Sequence, residues 1–140
     1  CDYIINYREE NVSKKVMEIT NNQGVQVVYD GVGRDTFLES INSLSVRGLL
    51  VSLGQSSGMV DKLDLHQTFN PKSLFYTRPN LMNYTLNNEE LKECSNKLFE
   101  KMRIGEIKSN IFKKIKLEEA QKAHEILQSR KSFGSIILEP

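Results

Sequence analysis

The sequence predicts an α/β fold built on a parallel sheet, and three observations carry that expectation. A first apolar run, Val25, Val27, Val28 and Tyr29, stops at Asp30-Gly31-Val32-Gly33. A second, Leu49, Leu50, Val51 and Leu53, stops at Gly54-Gln55-Ser56-Ser57-Gly58. Runs this short and this apolar suit strands covered on both faces, as in a parallel sheet flanked by helices. Between them Phe37, Leu38, Ile41 and Leu44 recur at helical spacing and make one apolar stripe. Strand, helix and strand together form a βαβ unit with a glycine-rich loop at the carboxyl end of each strand. Ligands bind along that edge in open α/β sheets, so both loops are candidate binding loops.

The remaining elements follow in order. Tyr3, Ile4 and Ile5 predict a short strand ending at Asn6-Tyr7-Arg8. Asn11 is placed to cap a helix through Ile19, with Val12, Val16 and Ile19 on one face and Asn21, Asn22 and Gly24 ending it. Residues 61–69 read as a short helix or irregular crossover before the breaker Asn70-Pro71. Leu74, Phe75, Tyr76 and Thr77 read as a further strand stopped by Pro79. Asn88 is expected to cap the longest helix, over 89–102, with Glu89 and Glu90 complementing its dipole and Gly105 closing it. Leu91, Cys94, Leu98 and Met102 are its expected buried stripe, which makes Cys94 core filler and not a nucleophile. An exposed strand over 110–116, a helix over 117–130 with Ala120, Ala123, His124 and Leu127 on one face, and a strand over 135–138 complete the chain.

Composition excludes several classes of function. The 140 residues are 39% hydrophobic and 26% charged, an ordinary globular balance large enough to bury a core. With 19 basic and 18 acidic side chains the net charge is +1, which gives no electrostatic case for nucleic acid or anionic lipid as a partner. No apolar stretch reaches the ~18 residues of a membrane span. Cys1 and Cys94, like His66 and His124, stand in no metal-ligand spacing, so no metal site is expected. The same low thiol count suits a reducing, cytoplasmic setting. The chain begins with Cys1 inside an apolar run, and it reads as a piece of something longer.

Five segments together resemble the quinone oxidoreductase (zeta-crystallin-like) branch of the medium-chain dehydrogenase/reductase superfamily. They are INYREEN at 5–11, VVYDGVGRDTF at 27–37, RGLLVSLGQSSG at 47–58, SLFYTRPNL at 73–81 and AHEILQSRKSFGS at 123–135. The resemblance implies the second half of a Rossmann-type sheet over residues 1–81. It implies a C-terminal return segment of a GroES-like catalytic domain over 82–140. It also implies an NADPH:quinone oxidoreductase that works without zinc and moves hydride from nicotinamide to a quinone-like acceptor. The family's pyrophosphate loop has no counterpart here: no G-x-G-x-x-G occurs, and Gly31-Val32-Gly33 is too short and follows the wrong strand. The chain alone is therefore expected to bind NADPH weakly or not at all and to be inactive.

Residue by residue, the resemblance places Tyr7 beside the adenosine and its 2′-phosphate, and Arg130 on the same phosphate. Arg130 is equally well a solvated arginine at a helix end. Gly31, Val32 and Gly33 match the turn that passes close to the cofactor, although glycine there also serves the strand-to-helix turn. Leu53, Gly54, Gln55 and Ser56 match a loop whose backbone contacts the nicotinamide side. Pro79, Asn80 and Leu81 match a backbone contact near the carboxamide. None of these groups is an acid or base, so no catalytic residue is expected within the chain; the hydride chemistry belongs to the cofactor. The resemblance also implies a homodimer through the strand over 73–78. An alternative reading is a noncatalytic dimerisation or assembly module derived from such an enzyme. RNA binding, known for some zeta-crystallin relatives, finds no basic stripe to support it.

Overall fold

The computed structural model describes residues 1–129 and 131–140 and divides them into two compact units, Cys1–Asn83 and Tyr84–Pro140. In the first unit, β1 (Val25–Asp30), β2 (Leu44–Ser52) and β3 (Phe75–Thr77) form a parallel sheet in the order β1-β2-β3. Three helices accompany it: α1 (Val12–Ile19), α2 (Phe37–Ser43) and α3 (Leu65–Phe69). The Asn11 side chain caps α1 by accepting from the Lys14 N–H at 2.7 Å. Beyond it the chain turns through Asn21 and Asn22, both left-handed.

The core lies between α2 and the sheet. Phe37, Ile41, Leu44 and Leu50 are buried together, with Val25, Val28, Leu63, Phe69 and Leu74 packed against them. Leu44 and Leu50 are fully enclosed, and burying each contributes about 1.5–3 kcal/mol. Two details differ from the helical stripe expected here. Leu38 points outward and is exposed. Leu44 is not helical but opens β2, so the strand starts five residues before Leu49. The ladder is irregular until Val27 faces Leu49, and Arg47 in this stretch is left-handed. A glutamate fastens α1 to α2: Glu39 accepts from the Ser13 N–H at 2.8 Å and the Asn11 amide at 3.0 Å.

The strand expected at Tyr3–Ile5 does not form; these residues are irregular, with Ile4 92% exposed. A strand needs a neighbour for its N–H and C=O groups, and among the described residues none pairs with this segment.

In the second unit, β4 (Ile111–Lys116) and β5 (Ser135–Glu139) pair in parallel, and α5 (Ala120–Gln128) connects them. Ile115 and Ala123 are buried. The long helix α4 (Asn88–Arg103) is present, but its cap is Asn87, whose side chain accepts from the Glu89 and Glu90 N–H groups. Its expected buried stripe is not buried: Leu91, Leu98 and Met102 are exposed, and so is Cys94. On α5 Ala123 is buried as expected, whereas His124 and Leu127 face outward. Helical spacing reveals a shared face but not what covers it. Among the described residues no helix is long and apolar enough to cross a membrane.

Candidate functional site

The carboxyl edge of the first unit's sheet is held by one buried side chain that sequence reasoning missed. Asp30, the last residue of β1, is 5% exposed. Its Oδ1 accepts from the Val32 N–H at 2.8 Å, the Gly33 N–H at 3.0 Å and the Thr36 hydroxyl at 2.9 Å. Its Oδ2 accepts from the Ser40 hydroxyl at 2.7 Å. The spacing Asp30, Thr36 and Ser40 was visible as an acid at a strand end followed by hydroxyls one helical turn apart. Burial works to raise the Asp30 carboxyl. The Gly33 amide, the Ser40 hydroxyl, the Val32 amide and the Thr36 hydroxyl outweigh it and hold the group below its ordinary value.

That depression makes a pH prediction. A carboxyl lowered by folding binds fewer protons in the folded chain than in the unfolded one. Its stabilisation is complete above the unfolded value, near 3.9, and is lost as the pH falls through the folded value. Urea midpoints measured across this acid range should fall steeply for the wild-type chain and less steeply for Asp30→Asn.

The same residue ties the two glycine-rich loops together. The Asp30 carbonyl accepts from the Leu53 N–H at 2.7 Å and the Gly54 N–H at 3.3 Å. Val32 O accepts from both the Ser57 N–H and the Ser57 hydroxyl, and Gly58 O accepts from the Arg34 N–H. The loops touch so closely that glycine is required at two points. A Cβ on Gly54 would lie 2.6 Å from Gly31 O. Gly33, at φ +90°, would bring one within 2.8 Å of Gly58 O. At Gly31 the situation is different. Its φ is not left-handed, and a Cβ there would meet nothing within 4 Å.

Two grooves open along this edge. One, of about 260 Å³, has Tyr7, Gly31 and Val32 among its lining, together with Ile5 and Thr36. The other, of about 500 Å³, includes Gly33, Gly54 and Gln55 in walls made largely by Phe37, Leu63, Leu65, Phe69 and Tyr76. Arg78 enters this larger cleft, and its guanidinium donates to the Gln55 side-chain oxygen at 2.9 Å. Arg78, Leu65, Phe69 and Tyr76 went unnoticed as site residues because they come from α3, β3 and the residue that follows β3, far from the loops along the chain. Tyr76 is fixed there by edge-on contacts with Phe37 and Phe69.

The structure thus brings Tyr7 to one side of the Gly31–Gly33 turn, and Gly54 and Gln55 to the other. Leu53 is exposed and lines neither groove. Ser56 also lies outside both linings, as do Pro79, Asn80 and Leu81, which begin a turn closed by the Asn83 N–H to Asn80 O bond. Arg130 lies outside the described residues.

Fold and edge geometry define an α/β domain of the Rossmann type, of which this sheet is the second half. A family model described as "Zinc-binding dehydrogenase" matches residues 1–138, and the chain belongs to that family. It is 47% identical over 139 residues to "Quinone oxidoreductase 1" of Escherichia coli K12, covering 98% of this chain and 42% of the relative. It is 38% identical to a "2-haloacrylate reductase" of Burkholderia sp., covering 100% of this chain and 42% of that protein. The solved structure of Escherichia coli quinone oxidoreductase complexed with NADPH superposes with a TM-score of 0.90 at 48% identity. That superposition covers 97% of this chain and 42% of the other. The chain therefore spans about 42% of the length of these relatives. Although the family's description names zinc, no three His, Cys, Asp or Glu gather to hold a metal ion among the described residues.

Proposed function

We propose that this chain is the C-terminal portion of an NADPH-dependent oxidoreductase that transfers hydride from the nicotinamide to a quinone-like acceptor. The observation that carries the reading is Gly31. Neither backbone conformation nor packing within the chain calls for glycine there. What a side chain at that position would obstruct is approach from outside to the carboxyl edge of the sheet, where this class of fold takes its ligands. The relatives' names, and the NADPH in one of their structures, support the same reading.

In this proposal the groove beside Tyr7 takes the adenosine side of the cofactor. The loop of Leu53, Gly54, Gln55 and Ser56, with the turn of Pro79, Asn80 and Leu81, takes the nicotinamide side. The apolar cleft then receives a flat, uncharged acceptor, with Arg78 as the one basic group among the described residues that line it. Residues 82–140 are proposed as the return to a catalytic domain that the rest of the relatives' length would supply. When bound, NADPH supplies the hydride; the residues of this chain bind and orient. A cytoplasmic setting belongs to the same reading, since Cys1 and Cys94 are both free thiols.

Replacing Arg130 by alanine tests the assignment in a chain that carries the remainder of the relatives' length. An arginine–phosphate pair is charge-assisted and contributes roughly 1.5–3 kcal/mol, so NADPH affinity should fall by about tenfold or more. NADH lacks the 2′-phosphate and should bind unchanged. Equal losses for both cofactors would make Arg130 structural.

We also propose that the chain forms a homodimer through β3. This strand has β2 on one side and no partner on the other among the described residues. It carries Phe75, Tyr76 and Thr77, with no charge or proline to discourage pairing. Side chains and N–H groups alternate along a strand, so one of Phe75 and Tyr76 turns its N–H outward. Proline at that position removes a donor from the ladder between copies. Sedimentation should show a dimer for the wild-type chain and a monomer for the outward variant; a wild-type monomer would contradict the assignment.

A further inference from the structure

The geometry points to Asp30 as a positioning residue that sets both candidate cofactor loops at once, the loop it belongs to and the one that follows β2. This inference rests on the cofactor reading above.

Three features separate Asp30 from an ordinary buried acid. First, its bonds are divided between two loops. The carboxylate takes the Val32 and Gly33 amides of its own turn, while its carbonyl takes the Leu53 and Gly54 amides of the other. Second, the carboxylate is itself clamped by the Ser40 hydroxyl of α2 and by the hydroxyl of Thr36 just before it, so the helix and its entry orient the acid and the acid orients the loops. Thr36 precedes the first residue of α2 yet makes no side-chain cap to the helix; its hydroxyl is committed to Asp30 instead. Third, the loops meet at distances that only glycine permits, at Gly33 and Gly54. A small rotation of the Asp30 peptide would therefore move Leu53 and Gly54 as well as Val32 and Gly33. The side chains and carbonyls of Gly31–Gly33 and of the second loop would lose their common setting.

Asparagine at position 30 separates positioning from mere stability. Its oxygen can still accept from the Val32 and Gly33 amides, and the Thr36 and Ser40 hydroxyls can turn to accept from its amide. The fold is retained, but the charge that strengthens all four bonds is gone. Ser43→Ala is the control: Ser43 is equally buried on α2, but its hydroxyl bonds only to Glu39 O within the helix. Thr36→Val and Ser40→Ala each remove one clamp and serve if Asp30→Asn fails to fold.

The experiment is amide hydrogen exchange by NMR on the 140-residue chain without ligand, followed by NADPH titration of the same samples. The expected result is faster exchange, by about tenfold or more, at Leu53, Gly54 and Val32 in Asp30→Asn. In Ser43→Ala those amides should change no more than the rest of the sheet. Shifts induced by NADPH at the second loop should weaken in Asp30→Asn and persist in the control. Loop exchange in Asp30→Asn that merely tracks global stability, or matches that of Ser43→Ala, would overturn the proposal. If the wild-type chain shows no NADPH shifts at either loop, the cofactor reading is decided by the Arg130→Ala comparison in the longer chain, while the ligand-free exchange still decides whether Asp30 sets the loops.

Discussion

Gly33→Ala should destabilise the first unit by about 2–6 kcal/mol. Placing a non-glycine residue in a sparsely populated backbone region costs about 1–3 kcal/mol, and forcing atoms into a packed contact costs about 1–3 kcal/mol more. Both apply at Gly33, which is at φ +90° with Gly58 O and the Gln55 Cα standing where its Cβ would go. Such a loss is a large share of the ~5–15 kcal/mol that holds a domain together. In a unit of this size each kcal/mol lowers the melting temperature by about 4–8 °C. Gly54→Ala should follow with the overpacking cost alone, since its contact is with the Gly31 backbone and not with a flexible side chain. Gly31→Ala is the counterpart: it should leave stability unchanged or raise it by up to about 1 kcal/mol through the unfolded state. Differential scanning calorimetry on the three variants orders these effects. An unfolding temperature for Gly33→Ala equal to that of Gly31→Ala would mean that the two loops are not interlocked as described.

The second large effect concerns activity. The 140-residue chain on its own should oxidise no measurable NADPH in the presence of a soluble quinone. A cofactor diphosphate is normally held by backbone N–H groups at the start of a helix behind a glycine-rich loop, and the sequence contains no such fingerprint. Most amides of the loops that are present are already taken. The amides of Val32, Gly33, Arg34, Thr36, Leu53, Gly54, Ser57 and Gly58 are all committed to acceptors within the chain. The Asp30 carboxylate beside them repels an anion as well. NADPH absorbance followed over time checks this directly. Turnover by the chain alone would show that other groups of the chain anchor the diphosphate.

How much was legible in the sequence differs between elements for physical reasons. α2 and the later part of β2 were readable because Phe37, Ile41 and Leu50 meet one another in this chain, whereas Val27 and Tyr29 of β1, expected to be covered, are exposed because nothing among the described residues packs on that face. Asn11 was readable as a cap because an N-cap bond is local: acceptor and donor lie three residues apart. The segment Tyr3–Ile5 has strand composition but no strand beside it, and composition alone cannot supply hydrogen-bond partners. The stripe of Leu91, Leu98 and Met102 is helical in spacing, as expected, yet exposed. At the site, glycine turns and the Tyr7 segment could be matched by local pattern. Asp30 could not, because its role depends on a contact with Leu53 and Gly54 across the sheet. Tyr76 and Arg78 in the larger cleft were hidden in the same way, since they reach the loops only once β3 pairs with β2.

On the proposed function, this sheet edge is one part of an NADPH site, carrying the nicotinamide and adenosine contacts without the diphosphate cradle. NADPH titration of the isotope-labelled chain, followed by amide NMR, tests it most directly. Where binding is seen it should be weak and in rapid exchange, with amide shifts confined to Tyr7, Gly31–Gly33, Leu53–Ser56, Asn80, Leu81 and Arg130. Submicromolar affinity, or shifts that avoid these residues, would contradict it.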